Sequence, residues 1–111
     1  MYEIIQGERR REGEDIDIPT FRREIWDANI LEVEAGSTGL KGGDSGHGAR
    51  HYFRIEDTAS TDITVNVIEG GNGWTKGFEV FLGGDTELNT TITALEFILK
   101  ALKDARDNVI D

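Results

Sequence analysis

Residues 83–106 read GGDTELNTTITALEFILKALKDAR, and this stretch decides the fold. Leu88, Ile92, Leu95, Leu99 and Leu102 recur at spacings of four and three. That is the repeat of one apolar stripe on an α-helix, with Ala94 and Ile98 widening it. Asp85 or Thr86 is placed to cap the helix by accepting from its free backbone N–H groups. Glu87 suits the first turn, and Lys100, Lys103 and Arg106 suit the last turns, where cations meet the negative end of the helix dipole. Such a helix needs a surface to cover, and the preceding sequence supplies strands.

Working back from the helix, Phe78-Glu79-Val80-Phe81-Leu82 and Asp62-Ile63-Thr64-Val65-Asn66-Val67-Ile68 flank Gly70-Gly71-Asn72-Gly73. Two alternating runs around a glycine turn predict an antiparallel hairpin, with Ile63, Val65 and Val67 inward. His51 to Glu56 reads HYFRIE, a strand with Tyr52, Arg54 and Glu56 on one face. Phe21 to Val33 reads FRREIWDANILEV, where Ile25, Trp26, Ile30, Leu31 and Val33 suggest strand, and Leu31, Val33 and Ala35 alternate with Glu32 and Glu34 as in a half-buried strand. Trp26 is expected in the core. Tyr2 to Ile5 is a short first strand or a frayed end. Residues 8–18, with Arg9-Arg10-Arg11 among acids, read as a mobile loop. Residues 36–48 are too rich in glycine for a regular element. These readings predict an α+β domain spanning residues 1–111: an antiparallel sheet of four or five strands packed against one long C-terminal helix.

Composition narrows the function classes. Twelve Lys and Arg stand against 22 Asp and Glu, a net charge of -10. A field of that sign repels phosphate backbones, so direct nucleic-acid binding is not expected. The chain has no cysteine, which excludes disulfides and cysteine-ligated zinc. No apolar run is long enough for a membrane span, and residues 1–13 lack the apolar core of a signal peptide, so cytoplasmic residence is expected. A chain of 111 residues with 37% apolar content has a lean core, and homo-oligomerisation would help it.

The best-supported site joins a glycine-rich segment to nearby side chains. Gly42, Gly43, Asp44, Ser45 and His47 lie in the run GGDSGHG, where absent side chains leave backbone N–H groups open to an anion. Arg50 and Arg54 follow and suit bidentate phosphate pairing. Tyr52 between them offers a ring for base stacking. Asp44 or Asp62 would accept from ribose hydroxyls or base amines, and Gly83-Gly84 leave the helix start at Asp85 and Thr86 open to an anion, which Asp85 and Glu87 would repel unless they cap or bond hydroxyls. Together these form a candidate pocket for a small phosphorylated or nucleotide ligand. The competing reading makes both Gly-Gly-Asp runs tight turns, the second a helix cap. The segment lacks the Lys-Ser/Thr ending of a phosphate loop and the spacing of a dinucleotide fingerprint. Asp44, His47 and His51 are a weaker metal candidate, since three-four spacing on a loop carries little geometry. Ser45 and His47 are too close in sequence to orient a nucleophile and its base, and Asp44 with Asp85 is a chance-level acid pair. No catalytic residue, resident metal or cofactor is assigned. Trp74, beside a turn, is a candidate ligand lid or interface residue.

The segments NILEVEAGSTG (29–39), GGDSGHGARHYFRI (42–55), STDITV (60–65) and FLGGDTEL (81–88), followed by an amphipathic helix, resemble small proteins of phages and prophages of Gram-positive bacteria. The likeness covers roughly residues 29–105 and leaves the arginine-rich segment as an insertion. It is similar to phage anti-defence proteins of the Thoeris anti-defence kind. That resemblance implies a homo-oligomer in the infected bacterial cell that sequesters a small cyclic nucleotide immune signal without cleaving it. Two alternatives stay open. One is an acidic inhibitor that mimics nucleic acid and blocks a basic defence enzyme. The other is a metal-dependent hydrolase of the signal, using Asp44, His47 and Asp85.

Overall fold

The computed structural model describes residues 3–40 and 48–107. The described residues form six strands and one helix: β1 (Ile5–Arg9), β2 (Ile18–Trp26), β3 (Ile30–Ser37), β4 (His51–Ala59), β5 (Ile63–Glu69), β6 (Thr75–Leu82) and α1 (Asp85–Asp107). Strands β1 to β4 make one antiparallel sheet in chain order, and β5 and β6 pair as a separate two-stranded ribbon. The architecture is α+β, a four-stranded sheet carrying one long C-terminal helix.

Alternation on β3 places the core. Leu31, Val33 and Ala35 are fully buried and face α1, joined by Ile25 from β2 and by Ala94 and Ile98 from the helix. Ile55, Phe97, Ala101 and Leu102 close around them. Small residues at Thr90 and Ala94 bring the helix backbone close to β3, which is why this flank packs inward.

The structure therefore reverses the expected use of the stripe. Leu88, Ile92, Leu95 and Leu99 lie outside the core and are 44–54% exposed. The hairpin repeats the surprise. Its register pairs Ile63 with Leu82, Val65 with Val80 and Val67 with Phe78, so one face of the ribbon is wholly apolar. Yet Val65 and Val67 are exposed, not inward. Phe78 meets the rim of the sheet at Phe53 on β4, with the two ring centroids 6.4 Å apart.

Three local readings also change. FRREIWDANILEV is not one strand, because Asp27 N–H donates to Asn29 C=O at 2.8 Å and the chain turns between β2 and β3. Trp26 is exposed beside that turn, its indole N–H donating to Glu24. Glu8 and Arg9 belong to β1 rather than to a loop, and residues 10–17 are tied by Arg10–Asp17 and Arg11–Glu14 ion pairs.

Asn29 fixes this corner to the rest of the molecule. It is buried, and its Nδ2 donates to Thr61 Oγ1 and to Thr90 Oγ1, each at 3.0 Å. One side chain thus links the β2–β3 turn, the approach to β5 and the helix. Asn29→Ala is expected to cost about 2 kcal/mol in urea unfolding, because two donors vanish at a buried site. An unchanged midpoint would mean that water replaces them freely.

Candidate functional site

The sheet face away from α1 carries a charged layer. Antiparallel register aligns Ile5, Arg22, Glu34 and Arg54 in one cross-strand row and Glu24, Glu32 and Glu56 in the next. Like charges directly opposite one another repel. The arginines of the neighbouring row offset this. Arg54 donates to Glu34 at 2.9 Å, to Glu32 at 2.8 Å and to Glu56. Arg9 reaches over from β1 and donates to both Glu34 oxygens, from Nε at 3.0 Å and Nη2 at 2.7 Å, while Thr20 Oγ1 donates at 2.6 Å. Burial alone would raise the Glu34 carboxyl. The hydrogen bonds from Arg9, Thr20 and Arg54 outweigh it and hold the group at about 2. Burial also opposes the charge on Arg54, and its bonds to Glu34 and Glu32 raise its pKa in spite of that.

The predicted site residues divide accordingly. Arg54 is the hub of this layer, and Tyr52 lies beneath Arg9, whose guanidinium carbon is 5.6 Å from the ring centroid. Arg50 is part-buried and donates to Glu14 at 2.9 Å and to the Ala49 carbonyl. The Glu14 carboxyl is lowered to about 2 by hydrogen bonds from Arg11 and Arg50. An added phosphate would compete with these carboxylates for both arginines. Asp62 sits apart, where its carbonyl accepts from Gly83 N–H and its own N–H donates to Glu87. Asp85 opens α1, and the Thr86 hydroxyl donates to Glu87 at 2.9 Å. That hydroxyl, with the Glu87 N–H, holds the Glu87 carboxyl below its ordinary value. Gly42, Gly43, Asp44, Ser45 and His47 lie outside the described residues. Among the described residues, no group of three or more His, Asp or Glu is arranged to hold a metal. No helix there is long and apolar enough to cross a membrane.

The other face of the sheet holds a cleft that the sequence reading missed. It lies between β2 and the C-terminal half of α1 and has a volume of about 720 Å³. Pro19, Phe21 and Arg23 form one wall, at alternate positions of β2, and Phe97, Lys100, Ala101, Asp104 and Ala105 form the other. Ile4 and Ser37 complete the lining. Lys100 Nζ lies 3.0 Å from Asp104 Oδ2 along the helix. The lining is thus apolar and aromatic, with two cations and one acid on a strongly acidic protein. Ser37 Oγ shares a 2.9 Å hydrogen bond with His51 Nδ1 and accepts from Gly39 N–H at 2.8 Å. Ser37 and His51 are register partners across β3 and β4, fourteen residues apart in sequence, so only the pairing brings them together. The cleft's trace in the sequence is a second helix flank at three-four spacing, Phe97, Lys100, Ala101 and Asp104, opposite a strand reading Pro19-x-Phe21-x-Arg23.

Together, fold and site define an α+β protein with a ligand-sized cleft beneath its helix. Comparison with known proteins finds no matching family model, no matching curated protein and no matching solved structure.

Proposed function

We propose that the protein is a binding protein that sequesters a small nucleotide-derived ligand without a chemical step, in the manner of the phage anti-defence proteins its sequence resembles. The observation that carries this reading is the cleft between β2 and α1. Its volume falls within the 300–1,000 Å³ typical of small-molecule sites. Phe21 and Phe97 offer ring faces on which a base stacks, and Lys100 and Arg23 offer positive charge to a phosphate. Lys100 can leave Asp104 for a ligand at small cost, since exposed ion pairs on a helix contribute only tenths of a kcal/mol. On this reading, recognition falls on the helix side of the sheet, opposite the charged layer of Arg9, Glu34 and Arg54.

Calorimetric titration with a panel of cyclic and linear nucleotides tests the reading. Binding by at least one member is expected, weakened about tenfold by Lys100→Glu, the loss of one charge-assisted contact. Lys100 is well exposed, so the variant folds normally. Ligand released by heating is expected to have its original mass. A silent panel would sink the proposal, and a cleaved ligand would replace it with hydrolysis.

A further inference from the structure

We infer that the exposed flank of α1 and the apolar face of the β5–β6 hairpin form the interface of a two-fold dimer, covered by a second copy of this chain. This goes beyond the ligand reading and does not rest on it. At 100° per residue, Leu88, Ile92, Leu95 and Leu99 lie on the flank of the helix away from the one that lines the cleft, so the cleft stays open in the dimer.

The helix has two apolar faces with different periods. The inner one, at Thr90, Ala94, Ile98 and Ala101, is short-chained and packs on β3. The outer one runs Leu88, Ile92, Leu95 and Leu99 in steps of four, three and four, the 3.5-residue repeat by which like helices interlock. The hairpin adds Val65, Val67, Phe78 and Val80, all on one side of the ribbon and all exposed. The Phe53–Phe78 contact joins that side to the helix-bearing face of the sheet.

Size decides between ornament and interface. These half-exposed residues sum to roughly 700 Å² of surface, above the roughly 300–600 Å² of a typical monomer's largest patch and close to one partner's share of an interface. A standard interface needs about 800 Å² from each partner. The radius of gyration is 15.7 Å, where a compact chain of this length would have about 13 Å. The hairpin packs mainly on itself and does not fold over the helix. A two-stranded ribbon without a covered face is marginal in water. The fold thus needs a cover that is present wherever the chain is, and a second copy meets that condition. A two-fold axis satisfies both copies with the same patch.

Sedimentation velocity of the full chain at micromolar concentration reads the result. The expected mass is twice the 12.3 kDa of one chain. Leu95→Glu puts a charge in the middle of the seam and is expected to weaken association at least about 30-fold, giving monomer. Val67→Glu repeats the test from the hairpin side, in case one variant fails to fold, with helix content followed by circular dichroism. A wild-type monomer would overturn the inference, as would a chain that gains mass only with a different protein. Dimers that persist in both folded variants would overturn it too.

Discussion

Glu34→Ala is expected to lower stability by about 3 kcal/mol near neutral pH, the scale for breaking a buried ion pair by removing one partner. Glu34 is buried at the centre of the charged layer and accepts from Arg9, Thr20 and Arg54. Removing it leaves Arg9 without its bidentate partner and Arg54 part-buried with one carboxylate fewer. The pH dependence has a fixed sign. The folded carboxyl sits at about 2 against an ordinary 4.5, so a depressed pKa adds stability that is complete above about 4.5. That stability is lost as pH falls from about 4.5 through about 2. The difference corresponds to about 3 kcal/mol by linkage, which agrees with the substitution estimate. Urea unfolding of the wild type and of Glu34→Gln tests this near neutral pH and again at about pH 3. The gap between them is expected to narrow with acid, because glutamine has no charge to lose. Glu14 is depressed over the same range and remains in both proteins, so it cancels. Parallel curves through the window would show that Glu34 does not hold the layer together.

The legible part of the fold was local. Alternation at Leu31, Val33 and Ala35, the Gly70–Gly73 turn and the periodic helix each depend on neighbours in sequence, and each takes the form expected. What covers an apolar face is not local. Leu88, Ile92, Leu95 and Leu99 carry the correct period for a buried stripe, but period alone cannot say whether the cover is the chain's own sheet or another molecule. Ala94 offered the counter-signal, since a helix that lies close to a strand presents small residues there. The turn in FRREIWDANILEV was marked by Asp27 and Asn29, turn-forming residues outweighed in reading by the apolar residues on either side.

The site was less legible for the same reason. Arg54 looks like a phosphate ligand until strand register sets Glu34 opposite it and Glu32 and Glu56 beside it. Arg9 looks like part of a solvated basic run until β1 pairs with β2 and carries it to a carboxylate 25 residues away. The cleft is built from residues some 75 positions apart in the chain, Phe21 and Phe97 among them, whose sequence environments give no sign of each other.

Gly36 shows how a composition reading can hide a packing constraint, and its substitution is expected to cost about 3 kcal/mol or more. Read with its neighbours, Gly36 opens a glycine-rich loop. In the structure it is a buried strand residue paired with Thr20. A Cβ built on it would overlap the Pro19 carbonyl oxygen and lie 2.6 Å from Thr20 Cα, both backbone atoms of β2. Backbone cannot swing aside as a side-chain tip does, so alanine must push β2 from β3. Thr20 would move with it, and the hydroxyl it donates to Glu34 would move too. Glycine to alanine in an open extended segment has the opposite tendency, stabilising by about 0.4–1 kcal/mol through the unfolded chain. The sign of the change therefore separates close packing from mere loop flexibility. Gly71 supplies the reference, since a Cβ there meets nothing within 4 Å, and Gly71→Ala is expected to stay within about 0.5 kcal/mol of wild type. Chemical unfolding of the two variants side by side decides the matter. A Gly36→Ala protein as stable as Gly71→Ala would mean that β2 and β3 are not in this register at their Pro19–Gly36 end, and the Arg9–Thr20–Glu34 cluster built on that register would fall with it.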